Sequence, residues 1–71
     1  MHLVDLKEKE EGVLLRFEDE QLAAKFMSMG VLPGSKIRVI RKNSSGKTLY
    51  IRVDQMRLAI RKTEAECIVL K

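Results

Sequence analysis

The chain has 71 residues, of which 45% are hydrophobic and 34% charged, with 14 Lys/Arg against 10 Asp/Glu. That composition supplies one small core and excludes both a second core and a disordered chain. The longest apolar run, Cys67 to Leu70, falls far short of the roughly 20 residues a membrane-spanning helix needs. The lone Cys67 excludes an intrachain disulfide, and the lone His2 has no Cys, Asp or Glu at a ligand spacing for a local zinc site or cysteine-histidine pair.

Lys7 to Glu11 is a charge run where a secretory signal would need its apolar segment, so a cytoplasmic location is expected, with His2 a solvated terminal residue. In Val13-Leu14-Leu15-Arg16-Phe17 the two-residue period puts Val13, Leu15 and Phe17 on one face of a first strand. Asp19 caps a helix predicted over Glu20 to Met29, with Glu20 in its first turn and Leu22, Phe26 and Met29 as its core-facing stripe. Met27 and Met29 flank Ser28; core packing is the expectation for them, with Met27 the better candidate for a contact surface. Gly30 is placed to end the helix in the left-handed conformation, with Val31 folding back on Phe26. Pro33-Gly34 then suits a type II turn, so Gly30, Pro33 and Gly34 are read as structural turn residues, both glycines at positive φ.

From Lys36 a second strand alternates, with Ile37 and Val39 inward and Lys36, Arg38, Ile40 and Lys42 outward. Asn43 to Lys47 is a polar turn joining it to a third strand, Thr48 to Asp54, in which Leu49, Ile51 and Val53 face inward and Tyr50 and Arg52 outward. After Gln55 a fourth strand sets Met56, Leu58 and Ile60 against Arg57, Ala59 and Arg61. Lys62 to Ala65 forms a short polar turn, at most one helical turn capped by Thr63, before a last strand with Ile68 and Leu70 inward. Five short strands and one helix in a single domain over residues 1–71 bury their faces best by partial closure, so the expected fold is mainly β, a small five-stranded barrel. An OB-type barrel would carry its helix later in the chain; a helix between the first and second strands favours the SH3-like type.

Charge divides the chain: residues 1–30 carry four Lys/Arg and seven Asp/Glu, residues 31–71 ten and three. The pleat gathers Arg38, Ile40, Tyr50, Arg52, Arg57 and Arg61 on one outer face, an aromatic and several planar cations of the kind that dominate binding hot spots. This face is the candidate partner-binding surface, with the helix end at Met27 and Leu32 as its rival. No catalytic, cofactor or metal residues are expected. Ser45-Gly46-Lys47-Thr48 ends like a phosphate-binding loop but lacks the upstream glycine and leads into a strand. Glu64 with Glu66, and Glu8 with Glu10 and Glu11, bring no third converging ligand.

Met29-Gly30-Val31-Leu32-Pro33-Gly34-Ser35-Lys36-Ile37-Arg38-Val39 resembles the ferrous iron transport protein A (FeoA) family, whose members run from a helix through a Gly-hydrophobic-x-Pro-Gly-Ser/Thr turn into a basic strand. Leu3 to Leu6, Gly12 to Leu14, Thr48 to Val53, Arg57 to Arg61, Glu64-Ala65 and Ile68 to Leu70 follow the family's order, so the resemblance covers nearly the whole chain. The module also looks like the C-terminal SH3-like domain of iron-dependent repressors. Two motifs depart from the family: Lys25-Phe26 stands for its usual Arg-Leu, and Ser45-Gly46-Lys47 for its usual Gly-Asp-Pro turn.

The resemblance implies a cytosolic accessory of the membrane GTPase-permease FeoB, a binding module without cofactor or enzymatic activity, peripheral to the membrane only through that partner. The rival is a basic barrel that binds nucleic acid, although Tyr50 is the only outward aromatic for stacking. A proline-peptide groove would need an aromatic lining that a chain with no Trp and one Tyr lacks.

Overall fold

The computed structural model describes residues 1–71. Its strands are β1 (Glu11–Phe17), β2 (Lys36–Lys42), β3 (Thr48–Val53), β4 (Met56–Arg61) and β5 (Ile68–Leu70); helix α1 (Glu20–Ser28) lies between β1 and β2, and a four-residue helix α2 (Lys62–Ala65) between β4 and β5. One antiparallel sheet runs in the order β4-β3-β2-β1-β5. β1 belongs to both halves of it: Glu11 to Val13 pair with β2, while Leu14 to Phe17 pair with β5. The strand therefore bends in its middle and curls the sheet around a core of Leu3, Leu6, Leu14, Phe26, Val31, Ile37, Val39, Leu49, Ile51, Val53, Ile60, Ala65, Ile68 and Leu70. β4 and β5 are edges that do not pair, so the barrel is open between them and α2 spans the gap.

The bend overturns the expected facing of β1. Between Leu14 and Arg16 the register with β5 slips by one residue, because Leu14 opposes Leu70 and Arg16 opposes Val69. Leu15 is the extra residue of this β-bulge and turns outward at 40% exposure, whereas Leu14, predicted to face out, is fully buried. Val13 and Phe17 are half-buried.

Helix α1 starts where Asp19 Oδ1 accepts from the backbone N–H groups of Gln21 at 2.8 Å and Leu22 at 3.3 Å. Phe26 is its buried residue and stacks on Phe17 with ring centroids 6.1 Å apart. The helix ends one residue earlier than predicted: Gly30 N donates to Met27 O and Val31 N to Phe26 O, both at 3.0 Å, the two bonds of a Schellman stop. Met29, the C-cap, turns into solvent at 41% exposure, and Val31 occupies the core place predicted for it. Met27 and Leu32 are exposed beside Met29, so the expected core packing of the two methionines does not occur.

Gly30 and Gly34 have φ of 93° and 94°, and Ser35 N donates to Leu32 O at 2.9 Å across the Pro33-Gly34 turn. A Cβ at either glycine would meet nothing within 4 Å, so the positive φ alone calls for glycine there. The Asn43 to Lys47 turn is held by Asn43 Oδ1, which accepts from Lys47 N at 3.1 Å and Thr48 N at 3.2 Å.

The first residues are built into the sheet instead of being solvated. Leu3 and Leu6 are core residues on a 3₁₀ turn, His2 bridges to Val69, and Leu70 N donates to Met1 O at 2.7 Å. His2 Nε2 also lies 2.7 Å from Glu18 Oε1.

α2 is capped at Arg61 and not at Thr63: Glu64 Oε1 accepts from Arg61 N at 2.8 Å while Oε2 pairs with Lys25 Nζ at 2.8 Å, tying α1 to α2. Burial works to raise the Glu64 pKa, but the Lys25 hydrogen bond and the Arg61 N–H outweigh it and hold the carboxyl below its ordinary value. A depressed folded pKa contributes stability above the unfolded carboxyl value and loses it as pH falls through the folded one. The gap in melting temperature between the wild type and Glu64→Gln should therefore be widest near neutral pH and close on acidification below about pH 4, which melts over a pH series will read.

Candidate partner interface

The register of the β2-β3-β4 meander builds the outer face. Arg38 opposes Arg52, and Arg52 opposes Arg57. Two residues further along, Tyr50 opposes Ala59, and a further two on, Thr48 opposes Arg61. Alternation holds through β3 and β4, so Arg52, Arg57 and Arg61 are exposed, Tyr50 is half-buried, and Leu49, Ile51, Val53 and Ile60 are buried beneath them.

In β2 the alternation breaks. Val39 opposes Ile51 and Arg41 opposes Tyr50, so Ile40 is the extra residue of a second bulge. Ile40 remains outside at 38% exposure, and the bulge adds Arg41, whose Cζ lies 4.6 Å from the centroid of the Tyr50 ring. Arg41 was missed by the strict pattern, although its own chemistry carried a signal. Regular alternation would have placed an unpaired guanidinium beside Val39 in the core, which costs far more than a bulge.

A shallow depression of about 330 Å³ opens over this region, lined by Ile40, Arg41, Tyr50, Ile51, Arg57, Leu58 and Ala59. Depressions flank it on either side: one is bordered by Glu11, Lys36, Arg38, Arg52 and Asp54, the other by Lys47, Thr48, Arg61, Lys62 and Thr63. The structure holds one Lys/Arg–carboxylate ion pair, Lys25–Glu64, and a hydrogen bond between His2 and Glu18, so no cation of the outer face is paired. Arg52 is steadied by its Nε–H, which donates to Asp54 O at 2.9 Å. The face sets apolar and aromatic side chains between exposed cations, with Glu11 and Asp54 at one border. No three His, Cys, Asp or Glu side chains anywhere cluster to hold a metal ion.

The FeoA domain model matches residues 1–71. The chain belongs to the FeoA family. Its fold is similar to that of a Chlorobium tepidum FeoA protein at 25% identity, with a TM-score of 0.92 over 99% of this chain and 68% of that one. It is also similar to a FeoA-like protein of Clostridium acetobutylicum (25% identity, TM-score 0.90, 100% of this chain and 84% of that one). A third similar structure is the zinc-complexed FeoA of Stenotrophomonas maltophilia, described as a prokaryotic SH3 domain protein and candidate ferrous iron transport activating factor. That match has 25% identity and a TM-score of 0.87 over 100% of this chain and 89% of that one. A search of curated proteins returns no match. The fold is thus SH3-like and mainly β, with the helix between the first two strands and the barrel left open at one seam.

Lys25 is engaged inside the molecule, paired to Glu64 and set 5.3 Å from the Phe26 ring centroid.

Proposed function

We propose that this FeoA-family chain is a cytoplasmic accessory of the ferrous iron uptake system that binds and modulates a FeoB-like transporter through the latter's cytosolic part, acting by docking and not by catalysis. The observation that carries the reading is the unpaired cationic ring around Tyr50, Ile40 and Ala59, the apolar centre and charged border of a docking patch. Membership of the FeoA family supports the choice of an iron transporter as partner, and no helix of the chain is long and apolar enough to cross a membrane by itself. Its contact residues in this reading are Arg38, Ile40, Tyr50, Arg52, Arg57 and Arg61, with Arg41 added.

A pull-down against the purified cytosolic GTPase part of a FeoB protein, run beside a salt-titrated RNA-binding assay, tests this. The wild-type chain should be retained by FeoB, and Arg38→Glu with Arg52→Glu should weaken retention in a salt-dependent way at an unchanged melting temperature. Loss of retention in Met27→Asp or Leu32→Asp, with the charge reversal silent, would move the interface to the helix end. Tight RNA binding with a steep salt slope and no retention by FeoB would replace the reading with the nucleic-acid one.

A further inference from the structure

The outer face is ordered in rows that cross the strands. Arg38, Arg52 and Arg57 form one row by register, Ile40/Arg41, Tyr50 and Ala59 the next, and Thr48 with Arg61, joined by Lys47 and Lys62, the third. Like charges directly opposite one another across strands are unfavourable, and the Arg38-Arg52-Arg57 row carries that cost with no ion pair inside the molecule to offset it. Glu11 opposes Arg38 across β1 and β2 and, with Asp54, borders the row, but neither carboxylate forms an ion pair with its arginines.

With strands about 4.8 Å apart and a rise of about 3.4 Å per residue, neighbouring cations within the first row stand about 5 Å apart, and the two cationic rows are separated by about 13 Å. An α-helix is about 10–12 Å across, and its side chains at i, i+3, i+4 and i+7 recur about 5–6 Å apart. We propose that this face recognises an amphipathic helix lying across the strands, its apolar stripe seated on Tyr50, Ile40 and Ala59 and carboxylates on both flanks of the stripe meeting the two cationic rows. The proposal rests on the reading of the patch as the transporter-docking surface, and it specifies the partner's recognition element.

Other occupants match less well. A nucleobase would need the open face of Tyr50, which Arg41 already covers. A lipid surface would take a protruding apolar wedge, whereas the apolar row here lies in a depression between cations. An extended acidic strand repeats its same-face carboxylates at about 7 Å, out of step with the arginine row.

The test uses a labelled synthetic peptide designed as a helix, with a Leu/Met stripe flanked by Glu on both sides, measured by fluorescence anisotropy. A second peptide of the same composition carries a central proline that breaks the helix. Arg38→Glu/Arg52→Glu removes one row, Lys47→Glu/Lys62→Glu the other, and melting temperatures confirm that both variants fold. Either reversal should weaken the helical peptide by about tenfold or more, and the proline peptide should bind at least about tenfold more weakly than the helical one. Equal binding of the two peptides, or indifference to one of the rows, overturns the helix proposal.

The FeoB cytosolic part is then added as competitor. Displacement of the peptide supports both the proposal and the reading it rests on. FeoB binding that leaves the peptide in place overturns the helix-docking proposal while the accessory reading stands. Peptide binding with no FeoB binding supports the surface chemistry and overturns the reading.

Discussion

Phe26→Ala is expected to cost about 3–5 kcal/mol, the range for truncating a buried phenylalanine. Phe26 is the one buried residue of α1, stacked on Phe17, with Lys25 set over its ring and Val31 hydrogen-bonded back to its carbonyl. Removing the ring leaves a cavity under the helix and withdraws the contact that anchors α1 to β1. A chain of 71 residues has only about 4–11 kcal/mol of total stability, so this one change removes a large fraction of it. At about 4–8 °C per kcal/mol for so small a domain, the melting temperature should fall by about 12 °C or more. A fall of less than about 5 °C, measured by circular dichroism, would mean that the helix is not anchored through Phe26.

The second large effect discriminates between neighbours. Leu14→Ala should cost about 2–5 kcal/mol and Leu15→Ala at most about 0.5 kcal/mol, because the bulge in β1 buries the first fully and leaves the second 40% exposed. Regular alternation through Val13, Leu15 and Phe17 would reverse the order. Denaturant midpoints of the two variants decide between the arrangements, and equal losses would contradict the bulge.

These two leucines show where the sequence was readable and where it was not. Through β3 and β4 large aliphatic residues alternate with Thr48, Tyr50, Arg52, Arg57, Ala59 and Arg61, so each side chain's face followed from its place in the two-residue period. Val13-Leu14-Leu15 is apolar throughout, and a run of one chemical type carries no information about which member is the extra one. The slip arises from the bend that lets β1 serve β2 and β5 together, a demand of the sheet that is not written locally in the strand. Ile40-Arg41 was different, since the cost of burying a guanidinium marked an irregularity that the period alone concealed. The turn residues were plain because Gly30, Pro33 and Gly34 each have a conformational reason to be where they are. The first segment was hidden by its charges: Leu3 and Leu6, three residues apart, fit one face of a 3₁₀ turn, yet the flanking acids and lysines obscured that spacing. In the outer face, the alternation revealed the cations one by one. Their assembly into rows depends on the cross-strand register, which no single strand contains.

The pairing of β1 and Met1 with β5 sets the order in which this chain can fold. The β2-β3-β4 meander closes through short turns and is available as soon as residues 36–61 exist. The other half of the sheet requires Ile68, Val69 and Leu70, all three buried, to meet residues from the opposite end of the chain. That step closes a loop of nearly the full length and meets its entropy cost last. During synthesis Ile68 to Leu70 emerge after residues 36–61, so the emerging chain carries its three-stranded, arginine-faced meander before it has a finished core.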